Sequence, residues 1–242
     1  METRIGTGCE AMDWLLEGGY EKDVLTTVYG APGVGKTNFL LLALANSAAL
    51  AKKKVVYIDT EGNFSLARFK QVCPDYEDVL KRVVFLRPTT FEEQRAAFDK
   101  LRKIVTEKVG AIMLDGAAML YRLELGKTKD VYSVNRELGI QLSMLTEIAR
   151  KQQIPVLVTN QVYADIDSGE NGRTKMVGGD ILRYASKCLI EVKRLAGDKR
   201  VAILRKHRSL PEKHVFFKIT DSGVEQIEDL SEKGKSSTRE EP

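Results

Sequence analysis

Short, uninterrupted apolar runs alternate along this chain with longer stretches in which apolar residues recur every three or four positions. The runs over 24–29, 55–59, 83–86, 111–115 and 155–159 predict strands. Uninterrupted runs suit strands buried on both faces of a parallel sheet. Helices are predicted over 37–51, 66–72, 91–107 and 134–153. The first is apolar almost all round and reads as a buried helix. Phe91, Phe98, Leu101 and Val105 share one face of the third, and Leu138, Leu142, Leu145 and Ile148 share one face of the fourth. Parallel neighbours need crossover connections, so the pattern predicts an α/β fold with a mostly parallel central sheet flanked by helices.

After Gly179 the pattern changes. The runs over 187–194, 200–205 and 215–219 alternate more, and short links containing Gly197, Asp198 and Pro211 join them. They predict C-terminal antiparallel strands that extend one side of the sheet. No internal repeat or long linker divides the chain, so residues 1–228 predict a single domain. Residues 229–242 hold no apolar residue beyond Leu230 and read as a disordered tail.

Composition narrows the class. With 242 residues, 43% apolar and 30% charged, the chain reads as a soluble globular protein with a sizeable core. The longest apolar stretch, over 39–51, contains Asn46 and Ser47 and is too short to span a bilayer. The first residues lack the layout of a signal peptide. Cys9, Cys73 and Cys188 are far apart in the sequence, and His207 and His214 complete no metal set with them. They read as reduced, core-type cysteines of a cytoplasmic protein. A net charge of +4 permits nucleic acid as a partner without requiring it.

The chemistry begins at "GAPGVGKT", residues 30–37, which fits the phosphate-loop pattern between a predicted strand and a predicted helix. Its glycines let the backbone curl with N–H groups pointing inward. The helix that follows aims its positive end at phosphates. Candidate ATP-binding residues are therefore Gly30, Ala31, Pro32, Gly33, Val34, Gly35, Lys36, Thr37 and Asn38. Lys36 would reach the β- and γ-phosphates, and the Thr37 hydroxyl would serve Mg²⁺. A second acid for the metal should end a neighbouring buried strand, and "AIMLD" supplies Asp115. Many phosphate-loop ATPases place a water-activating glutamate directly after that aspartate; here Gly116 follows. "YIDTEGNF", residues 57–64, offers Glu61 as the candidate base from another strand end. Asp59 is left open, between framing the Mg²⁺ site and capping the turn.

These motifs, with "VLVTNQV" (156–162) and "GGDILRYAS" (178–186), occur in the order of the RecA/RadA recombinase family, and the chain resembles that family over about residues 3–228. The resemblance implies a RecA-like P-loop ATPase core using ATP and Mg²⁺, with Glu61 as catalytic glutamate and Asp115 as metal-side acid. It implies that Gln161 senses the γ-phosphate and relays its state to DNA. Two loops would face single-stranded DNA, one carrying Arg122, Lys127 and Lys129, the other, over 163–178, carrying Arg173 and Lys175. A RadA-type recombinase, a Holliday-junction resolvase and a second copy of the chain are the implied partners.

Two departures matter. An acid is usual before "LPE" in the stretch that caps the neighbouring subunit's ATP in recombinase filaments, and Lys206 stands there. The resemblance starts at about residue 3, and the expectation is that the N-terminal region that links strand-exchange filaments is missing. The expectation is an accessory or mediator of DNA repair and recombination with weak ATPase activity. The alternatives are an ATP-dependent regulator, similar to KaiC, that acts on protein partners without DNA, and a small-molecule P-loop kinase, which the two cations Arg173 and Lys175 in 163–178 suit poorly.

Overall fold

A computed structural model describes residues 4–51, 53–164 and 174–228. The strands are β1 (Arg4–Ile5), β2 (Tyr20–Glu21), β3 (Leu25–Gly30), β4 (Lys54–Asp59), β5 (Val83–Leu86), β6 (Val109–Asp115), β7 (Val156–Ala164), β8 (Thr174–Met176), β9 (Cys188–Arg194), β10 (Arg200–Lys206), β11 (Lys213–Thr220) and β12 (Gly223–Ile227). The helices are α1 (Glu10–Leu16), α2 (Lys36–Ala51), α3 (Leu66–Val72), α4 (Tyr76–Leu80), α5 (Phe91–Ile104), α6 (Met119–Leu125), α7 (Val131–Gln152) and α8 (Gly179–Ala185).

The central sheet runs β12-β11-β10-β9-β3-β7-β6-β4-β5, with β8 hairpinned onto β7. Its parallel part is the one the apolar runs predict: β4 pairs with β5 and β6, β6 with β7, and β7 with β3. Every residue of β6 is buried. Alternation along each strand then assigns two cores. Tyr57, Met113, Leu157 and Ile190 pack with α2, whose side chains from Phe39 to Leu44 are all buried. Val56, Ile58, Leu114 and Val158 point to the other face and pack with residues of α5, α6 and α7, among them Phe98, Leu120 and Leu145.

Three predicted features are corrected. The run over 187–194 predicts an antiparallel strand; β9 instead runs parallel to β3 and antiparallel only to β10. It is the turning strand between the two regimes, and alternation reports exposure, not strand direction. The helix expected over 91–107 ends at Ile104, where Val105 adopts an extended conformation while donating its N–H to Leu101. The first expected DNA-facing loop is partly helical, because α6 carries Arg122.

Helix starts follow their local chemistry. Thr90 caps α5 by accepting from the Glu93 N–H, and the Glu93 carboxylate returns to the Thr89 N–H and hydroxyl. Asp130 caps α7 and Ser65 caps α3. The three cysteines are free and buried, and burial pushes the Cys9 thiol up to about 11 and the Cys188 thiol to about 12. No described helix is long and apolar enough to cross a membrane. The tail expected over 229–242 lies outside the described residues.

Candidate active site

The C-terminal ends of β3, β4, β6 and β7 lie along one edge of the sheet. Register places Gly30 beside Gln161 and Asp59 beside Asp115. In an open parallel sheet this edge is where ligands bind, because helix N-termini and loops converge there.

The loop after β3 has the predicted cradle shape. Gly33 and Gly35 hold φ of 74° and 104°, values that side-chain-bearing residues rarely adopt. A Cβ on Gly35 would also lie 2.5 Å from Ile219 Cδ1, so β11 closes directly onto the loop. The Lys36 ammonium donates to the Gly30 and Ala31 carbonyls at 3.0 and 2.9 Å. Burial depresses its pKa, and the negative charges of Glu61 and Asp115 oppose that shift.

Asp115 is almost fully buried and accepts three hydroxyls. Thr159 donates to Oδ1 at 2.5 Å, while Thr37 and Tyr57 donate to Oδ2 at 2.9 and 3.0 Å. Burial raises the Asp115 pKa, and the three hydroxyls partly restore its acidity. A hydroxyl and a carboxylate oxygen side by side at the cradle form a hard-oxygen pair of the kind Mg²⁺ takes when phosphates and water complete its shell. The residues fit that ion.

Glu61 follows β4 and reaches across to β7. Its Oε2 accepts from Gln161 Nε2 at 3.0 Å and from Asn63 Nδ2 at 2.9 Å. The Thr60 hydroxyl donates to the Gly116 carbonyl at 2.6 Å and accepts from the Gly116 N–H at 3.1 Å, pinning the end of β4 to the end of β6. Asp59 faces the turn: its carboxylate accepts the Asn63 and Phe64 N–H groups at 3.1 and 3.2 Å.

Lys36, Thr37, Asn38, Glu61, Asp115 and Gln161 line one cleft of about 430 Å³. Sequence reasoning missed other lining residues, among them Asn63 and Arg68. Arg68 donates to Asn38 Oδ1 at 2.7 Å and to the carbonyls of Asp221 and Gly223 at 2.9 and 3.1 Å, so it clamps the β11–β12 turn to the helix that follows the cradle. Asn63 could have been suspected from its place two residues after Glu61; nothing local marks Arg68.

The candidate DNA residues are not gathered as the site is. Arg122 lines a small hollow with Glu61, Gln161, Met119 and Val177. Lys127 and Lys129 lie in the exposed turn between α6 and α7. Lys175 lies on β8, and Arg173 lies outside the described residues. Lys206 lines a separate cleft with Arg183 and Arg205, where its ammonium donates to the Arg183 and Ser186 carbonyls.

A strand–loop–helix cradle, with the Asp115 and Glu61 carboxylates brought to it from the ends of two further strands of a mostly parallel sheet, defines a RecA-like P-loop core. The comparisons agree. The Rad51 family model matches residues 2–227, and the chain belongs to that family. Within it the chain groups with the RadB proteins. It is 39% identical over 219 residues to the DNA repair and recombination protein RadB of Methanobrevibacter smithii, covering 88% of this chain and 92% of the relative. It is 40% identical over 226 residues to that of Methanococcoides burtonii, covering 93% and 98%. It is 41% identical over 219 residues to that of Methanococcus maripaludis strain C7, covering 89% and 98%. A crystal structure of the RadB recombinase superimposes with a TM-score of 0.78 at 34% identity, over 93% of this chain and all of that one.

Proposed function

We propose that this chain is a cytoplasmic DNA repair and recombination protein that binds ATP with Mg²⁺ and single-stranded DNA. It assists a RadA-type strand-exchange recombinase and hydrolyses ATP slowly. A Holliday-junction resolvase and a second copy of the chain are further proposed partners. The observation that carries the reading is the convergence of Lys36, Thr37, Asp115, Glu61 and Gln161 on one cleft. The printed names of the RadB relatives support the recombination role. Lys206, in the stretch where recombinases usually carry an acid, supports an accessory role over a filament-forming one.

Each group has a task. Cradle N–H groups and Lys36 hold the β- and γ-phosphates. Thr37 and Asp115 would hold Mg²⁺, which neutralises phosphate charge when bound. Glu61 orients water and takes its proton. Gln161 donates to Glu61 from the strand that continues into the β7–β8 hairpin, so the carboxylate and the candidate DNA-facing segment share a residue.

Anisotropy of a labelled single-stranded oligonucleotide, with and without ATP·Mg²⁺ and across a salt series, tests the reading. Affinity that weakens with salt is expected. No binding at low salt with ATP present would overturn the DNA assignment and favour the regulator of protein partners.

A further inference from the structure

Two amides grip the same oxygen of Glu61, and they belong to different parts of the fold. Gln161 ends the buried part of β7. Its carbonyl accepts the Val177 N–H at 3.0 Å, and the neighbouring Asn160 amide donates to the Val177 carbonyl at 2.8 Å. Gln161 is therefore strapped to the turn that follows β8. Any movement of that hairpin acts on Gln161 directly.

Asn63 is anchored elsewhere. Its N–H is held by Asp59 Oδ1, and the next N–H by Asp59 Oδ2. The Phe64 ring then packs against Phe85, Tyr57 and Phe69 at centroid distances of 4.7, 5.6 and 5.6 Å. Asp59 itself is a buried residue of β4. The Asn63 amide thus projects from a turn fixed by a buried carboxylate and an aromatic cluster, with none of these contacts on β7 or β8.

We propose that Asn63 is a positioning residue that holds the Glu61 carboxylate in place independently of Gln161. This rests on the reading of Glu61 as the water-activating base. With both amides donating to Oε2, Oε1 lies against Gly116, and loss of either amide alone loosens the carboxylate without freeing it. Asn63 therefore keeps hydrolysis running when Gln161 lets go, and it loosens the dependence of ATP turnover on the state of the hairpin. Asp59 acts one step further back, by fixing the turn that presents Asn63.

Single-turnover hydrolysis of radiolabelled ATP, with ATP affinity measured separately, tests the proposal. The set is the parent chain, Glu61→Gln, Asn63→Leu, Gln161→Ala and the double variant Asn63→Leu/Gln161→Ala. Leucine approximates the shape of asparagine and removes its donor. Each amide variant alone should retain ATP affinity and lose hydrolysis by several-fold. The double variant should fall well beyond the product of the two, to about a hundredfold loss. Parental hydrolysis by Asn63→Leu, a loss matched by weakened ATP binding, or a double variant no worse than the product would each overturn the role of Asn63. Hydrolysis retained by Glu61→Gln, or absent from the parent chain, would instead overturn the reading of Glu61 beneath it.

Discussion

A Cβ atom on Gly116 would lie 2.3 Å from Oε1 of Glu61. The position directly after Asp115 is thus crowded from the side by a carboxylate that arrives from the end of β4. The glycine is what gives that carboxylate room.

Gly116→Ala should therefore act on turnover and spare binding. The clash is with the flexible end of a side chain, so Glu61 would move off its two amide donors while the fold persists. Displacing a base by about 1 Å costs about a hundredfold in rate. Titration should give parental ATP affinity, and single-turnover hydrolysis should show the loss.

The two inner glycines of the cradle should respond unequally. Gly33 has a left-handed φ, and a Cβ there would meet no atom within 4 Å, whereas Gly35 combines its φ of 104° with the contact to Ile219. Gly33→Ala should cost about 1–2 kcal/mol of backbone strain. Gly35→Ala should cost more, because the Ile219 side chain must give way as well. Urea unfolding of both variants checks the order.

Asp115→Asn should remove a pH-dependent penalty on the fold while disabling the site. Burial raises the Asp115 pKa, so the ionised carboxylate opposes folding above its unfolded range. In sign, the folded state holds a proton that the unfolded state has released, and stability falls as pH rises through that window. The gain from asparagine should therefore be absent at acid pH, where both forms are neutral, and present at pH 7. Thermal melts at two pH values, with Mg²⁺-dependent ATP binding as the functional readout, test it.

Replacing Arg122, Lys127 and Lys129 together by alanine should weaken single-stranded DNA binding and flatten its salt dependence. If each meets one phosphate, the slope of log affinity against log salt should fall by about 2. An unchanged slope would place the DNA elsewhere.

The sheet was readable where one chemical pressure dominated. The stretches 111–114 of β6 and 156–158 of β7 are uninterrupted apolar runs because both faces are covered. The cradle was readable because its glycines are demanded by backbone geometry. Other features depended on partners distant in sequence. Arg68 finds its acceptors more than 150 positions away, at Asp221 and Gly223. The helix α6 has Ala118 at its N-cap, with no side-chain cap hydrogen bond, so no start signal precedes it. The direction of β9 is set by its neighbour β3, on which its own alternation is silent. Asp59 could not be separated from Glu61 by type; only the turn shows that one carboxylate binds backbone and the other faces the cleft.

The Arg68 clamp and the Ile219 contact bring the order of synthesis into view. The cradle, both acids and Gln161 are complete once residue 161 has been made, yet the wall that closes over Gly35 comes from β11, and the carbonyls that hold Arg68 come from the β11–β12 turn. A chain emerging from the ribosome has its phosphate-gripping parts long before it has the wall beside them. The wall beside the cradle is thus built after the residues it encloses, and a product released before Lys213 would carry Lys36, Thr37, Glu61, Asp115 and Gln161 in a cleft that lacks one side.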